Sequence, residues 1–147
     1  MYRRLIISAV FGLAAAGLAL AAKELTLPEL KAKADAAPLE DRPQLYVEIA
    51  ERQLAAAGES YRAGGAEQAR AAVDDVVFYA GKARDASIQT GKKLKNTEIS
   101  VRKMAAKLRD LRRTLSFDDQ APVQAAADQL ESMRSELLAH MFSKGKR

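Results

Sequence analysis

From Val73 to Leu115, small or apolar residues recur at alternating spacings of three and four without losing phase. Ala80, Ser87, Leu94, Val101, Met104, Leu108, Leu111 and Leu115 all fall on this seam. A seven-residue repeat of this kind keeps one face of a helix apolar and commits the chain to packing helix against helix. The class is therefore all-α, and two architectures satisfy the pattern. In the first, antiparallel helical hairpins form around one long central helix spanning residues 66–116, about 75 Å at 1.5 Å per residue. In the second, that helix breaks near Gly91–Asn96 and the chain closes into a four-helix up-down bundle. The unbroken phase and the lack of proline from Gln44 to Ala121 favour the long helix. Gly91, an Asn96-Thr97 cap and the weak Ser87, Thr90 and Thr97 positions favour the break. The expectation adopted is the long helix, which leaves apolar stripe uncovered and so predicts a homodimer.

The remaining helix ends are marked by local chemistry. "TLPEL" (Thr26 to Leu30) and "DRPQL" (Asp41 to Leu45) each place a capping side chain, a proline, and Glu or Gln at the third helical position. That order satisfies orphan amides and puts proline where no amide is needed. A short helix over about Leu27 to Ala36 and a longer one from Asp41 to Ala63 follow. "AGGAE" (Ala63 to Glu67) is a tight turn, with Gly64 free to take the left-handed conformation, and it forces an antiparallel hairpin. "SFDDQAP" (Ser116 to Pro122) starts the last helix, with Asp118 or Asp119 as cap and Pro122 in its first turn. The hairpin "LAAAGESYRAGGAEQARAAVDDV", with Ala57 and Tyr61 before the turn and Ala69 and Val73 after it, resembles one tetratricopeptide-like unit over Leu54–Val76.

The chain opens with "MYRRLIISAVFGLAAAGLALAAKE", a positive start, an uncharged apolar run and a small-x-small processing site. Residues 1–21 are read as a signal peptide, so the mature protein is expected to be exported, periplasmic or extracellular, after cleavage near Ala21/Ala22. Residues 22–40 then supply a short helix and linker, 41–143 the helical domain and 144–147 a flexible basic tail. With no cysteine in the sequence, disulfides, thiolate metal sites and cysteine nucleophiles are excluded. The layout resembles that of small uncharacterised secreted helical proteins of bacteria.

Charge is segregated. Lys82 to Arg113 carries 11 basic and 3 acidic side chains, a net of +8, while Ala22 to Gly81 carries 7 basic and 11 acidic, a net of −4. Lys92, Lys95, Arg102, Lys103 and Arg109 lie opposite the apolar residues Val101, Met104, Leu108, Leu111 and Leu115 at 100° per residue, and together with Lys93 they form the candidate face for an anionic partner. A solvated helix face explains their positions but not their uniform sign. Three partners fit the sign: the acidic part of a second copy, an anionic envelope surface or acidic protein, and nucleic acid. Export and the lack of interleaved aromatics argue against nucleic acid.

Catalytic chemistry is thinly represented. His140 is the sole histidine and sits in the last turn of the last helix, where the helix dipole accounts for it. Glu136, four residues earlier, could join it at a metal, but bundle metal sites need Glu-x-x-His on two helices. Asp74 and Asp75 point about 100° apart. Tyr46, Tyr61, Phe78 and Tyr79 read as core, with Tyr79 the one placed to line a partner groove. The sequence thus predicts no catalytic residue, metal ligand or cofactor. It predicts an exported, non-enzymatic interaction or scaffold module, with a peripheral envelope binder using the face 92–113 as the alternative.

Overall fold

Thr26 opens α1 (Leu27–Ala36) with a complete capping box: its Oγ1 accepts from the Glu29 amide at 3.4 Å and its own amide donates to Glu29 Oε2 at 3.0 Å. The computed structural model describes residues 24–143, so the expected leader (1–21) and basic tail (144–147) lie outside the described residues. The parallel expectation at Asp41 fails. Its backbone is already helical and its side chain caps nothing, because a capping carboxylate reaches the free amides only from an extended backbone. α2 (Arg42–Arg62) is held at its start by Arg42 instead, whose guanidinium donates to the carbonyls of Ala37 at 2.8 Å and Asp35 at 3.0 Å.

Gly64, at φ 80°, ends α2, and α3 (Ala66–Thr90) returns along it. Gln53 donating to Asp75 at 2.6 Å fixes the antiparallel register of the two. The helices have 21 and 25 residues, more than the 34-residue tetratricopeptide unit holds.

The long central helix is not formed. Gly91 caps α3 in the left-handed region at φ 67°, and Lys93 adopts the same region at φ 61° before α4 (Leu94–Arg113) begins. Two left-handed residues so close together reverse the chain, which is the second architecture expected near Gly91–Asn96. The three weak seam residues build this reversal. Ser87 and Thr97 share a buried hydrogen bond of 2.7 Å, and Thr90 Oγ1 donates to the Ala86 carbonyl and accepts from the Lys92 amide. The premise for a homodimer through an uncovered long seam falls with the long helix.

α5 (Phe117–Ser143) starts about one turn earlier than expected. Ser116 Oγ donates to Asp119 at 3.0 Å, and Pro122 lies inside the helix rather than in its first turn. α5 returns along α4, with Arg109 bonded to Glu131 at 3.1 Å and Arg134 to Glu98 at 2.8 Å. Between the hairpins the direction changes. Arg70 meets Asp119 and Arg84 meets Glu136, so partners on α3 and α5 advance together and the two helices run parallel. The result is an all-α bundle of two antiparallel hairpins, α2/α3 and α4/α5, side by side, with α1 against one end.

The larger core cluster joins Leu54, Val73 and Val76 of the first hairpin to Val101, Met104, Leu108, Leu130 and Leu137 of the second. A smaller one places Leu30 and Ala34 of α1 on Tyr46, Val47, Ile49 and Ala83. No helix among the described residues is long and apolar enough to cross a membrane.

The reversal makes a stability prediction. Gly91→Ala puts a side chain into a left-handed position and should cost about 1–2 kcal/mol. Gly58→Ala, in mid-helix with only the Arg62 guanidinium 3.6 Å from the new carbon, should gain about 0.5–1 kcal/mol. Urea unfolding monitored by circular dichroism reads both; equal effects at the two positions would contradict the break.

Candidate functional site

On α4 the apolar seam lies where the periodicity puts it. Val101, Met104 and Leu108 are fully buried, while Leu111 and Leu115 stay half-exposed at the end of the helix. Substituting Leu108 would therefore break the fold of one chain rather than a contact between chains. The basic residues face outward, and several are neutralised by this same chain. Lys92 meets Glu40 at 2.7 Å, Arg109 meets Glu131, and Arg113 meets Asp110 at 3.2 Å. Glu98, itself 7% exposed, accepts a hydrogen bond from Arg134 and forms an ion pair with Arg102 at 3.4 Å. Lys93, Lys95, Lys103 and Lys107 remain exposed and form no ion pair among the described residues. The uniform sign in the sequence is thus partly compensated, but a row of lysines is left over.

α2 and α4, which are not consecutive, run side by side and approach loosely. Three open clefts follow one another between them. The first, of about 260 Å³, lies between Val47 and Ser100. The second, of about 230 Å³, is lined by Glu51, Leu54, Ala55, Lys107 and Leu111. The third, of about 400 Å³, is lined by Gly58, Tyr61, Asp110, Leu111 and Leu115. Arg62 reaches the last two. They make one trough with an apolar floor and charged rims. Glu51 and Arg62 on α2, like Lys107 on α4, have no ion-pair partner among the described residues. The Tyr61 hydroxyl beside the trough is buried without a hydrogen-bond partner among the described residues, and that burial, with the nearby Asp119 charge, raises its pKa.

A third cluster surrounds Lys82. Its ammonium sits 5.0 Å from the Tyr46 ring centroid, 5.2 Å from Phe78 and 5.8 Å from Tyr79, and 3.7 Å from Asp35 of α1. Tyr46 donates to the same Asp35 at 3.2 Å, and Lys31 of α1 lies over Tyr79 at 5.3 Å. Cation–π and hydrogen bonds thus fasten α1 to the first hairpin. The exposed ring is Phe78, not the expected Tyr79, which is half-buried under α1. Phe78 and Lys82, one turn apart on α3, are the sequence signal for this cluster.

Three further acidic groups make structural contacts. Glu136 pairs with Arg84 rather than His140, Asp119 with Arg70, and Asp75 accepts from Gln53. No group of three or more metal-binding side chains converges among the described residues. No known protein family, curated relative or solved structure matches the chain.

The Glu40–Lys92 pair has a checkable pH signature. Its hydrogen bond and charge lower the Glu40 pKa and raise that of Lys92. The depressed carboxylate adds its stability above the ordinary glutamate range, and that contribution is lost as pH falls through the folded value. In an NMR titration Glu40 should protonate below the ordinary glutamate value, and Lys92→Ala should move it back up. An unchanged Glu40 titration in that variant would show that the pair is not formed.

Proposed function

We propose that the protein is an exported, non-enzymatic interaction module that receives a protein partner in the trough between α2 and α4. The observation that carries this reading is the combination of an apolar floor, Leu54, Leu111 and Leu115, with rim charges of both signs left unpaired by the fold. Interfaces combine a buried apolar centre with a polar rim in this way. The engagement of Asp75, Asp119 and Glu136 in structural contacts supports a binding rather than a chemical role. The charged start, apolar run and processing site of residues 1–21 support export. A photo-crosslinking residue at Ala55, exposed within the trough, should form protein adducts in the envelope of expressing cells. The same residue at Ala71, on the outer face of α3, should not. Equal labelling, or adducts at Ala71 alone, would remove the trough from the reading.

A second reading rests on the leftover lysines. Lys93, Lys95 and Lys103, flanked by Lys92, Arg102 and Arg109, suit an anionic envelope surface, whose attraction is screened by salt. Co-sedimentation with anionic vesicles at low salt, lost at physiological salt and in a Lys93→Gln, Lys95→Glu variant, is the expected result on this reading. Equal binding to neutral vesicles would exclude it.

A further inference from the structure

We infer that the partner in the α2/α4 trough is a second copy of this chain, seated across a two-fold axis that runs parallel to the two helices. This rests on the reading of the trough as an interaction surface, and three features of the trough choose the occupant. First, α2 and α4 run parallel, as the order of residues lining the successive clefts shows: Pro43 and Val47 lie with Asn96 and Ser100, then Gly58 and Arg62 with Leu111 and Thr114. A two-fold axis along such a pair sets α2 of each copy against α4 of the other at the same height. Second, that juxtaposition is complementary in charge. Glu51 on one wall and Lys107 on the other border the same cleft, and neither has an ion-pair partner among the described residues. Rotation brings each opposite the other's equivalent, twice per dimer. Further along, the unpaired Arg62 comes opposite Asp110, which already meets Arg113 of its own chain. A two-fold axis across the helices would instead set α2 against α2, giving up the opposition of acidic and basic walls. A mixed-charge rim therefore selects one geometry as well as one partner.

Third, the available area sets the strength. The face from Gln44 to Arg62 is about 27 Å long and two helices, about 20 Å, wide. Its projection of about 550 Å² sits below the roughly 800 Å² per partner of a stable complex. A reversible, concentration-dependent dimer is expected, weakened by salt because its rim is ionic.

The test uses the protein isolated without truncation from expressing cells. Sedimentation velocity over a micromolar concentration series should show a monomer–dimer equilibrium. Glu51→Lys and Lys107→Glu should each weaken it at least tenfold, since either change sets like charges together twice. An equimolar mixture of the two variants should restore the dimer, because the mixed pair is complementary at both contacts. A contact within one chain cannot be rescued by mixing, and unchanged thermal unfolding of each variant shows that the fold is intact. A monomer at every concentration, a dimer indifferent to the single changes, or a mixture that stays monomeric would overturn the inference. The Ala55 crosslinker separates this failure from failure of the broader reading. Adducts at twice the chain mass support the second copy, and adducts only at other masses overturn it while keeping the trough as an interaction surface. No adduct removes both.

Discussion

The reversal at Gly91–Lys93 is the constraint on which the arrangement depends. Gly91 takes the left-handed conformation without a side-chain penalty, but Lys93 does not, and its backbone costs about 1–2 kcal/mol. What offsets that cost is nearby: the buried Ser87–Thr97 hydrogen bond, about 1 kcal/mol, and the burial of Leu94 at the start of α4, about 2 kcal/mol. Once the chain turns there, the apolar stripe that would have lined a long rod is divided between two facing helices. Val76 and Val101 then belong to one core, and the apolar seam is covered except at Leu111 and Leu115.

The same reversal makes the surface features. Because α2 and α4 are brought together only through the hairpins that hold them, they meet less closely than the partners within each hairpin, and the trough is the space left between them. α3 and α5, on the other side, close their gap with the Arg70–Asp119 and Arg84–Glu136 pairs. α1 covers the end of the first hairpin, where Lys82 is enclosed by three rings and Asp35. One side of the bundle is therefore tied, one end is latched, and one side is open.

What the sequence disclosed, and what it hid, follows from the range of the interactions. The Thr26 capping box and the Gly64 turn are local, fixed by residues within four positions, and they lie where the sequence puts them. Asp41 fails as a cap because the Arg42 contacts to α1 set its backbone, a longer-range influence that no local motif contains. The break at Gly91 was visible as an alternative only. Both helices turn their stripes to a common core, so the seven-residue phase runs on whether or not the helix does. Ser87, Thr90 and Thr97 were the informative residues, being too polar for a continuous seam. The trough between α2 and α4 was not legible, since it depends on the placement of two helices that are not neighbours in the chain. The basic stretch was legible in position but not in charge, because Glu40, Glu98 and Glu131 reach it from other elements or from the inner side of its own.

The central claim, two hairpins folded back on one another rather than a rod, is tested most directly by the distance between spin labels at Glu67 and Asp118. In the bundle these positions begin the parallel helices α3 and α5, next to the Arg70–Asp119 pair. Two labels on adjacent helices should lie within about two helix diameters, 20–25 Å. A population centred near 75 Å, the length of a continuous helix over the same residues, would contradict the account.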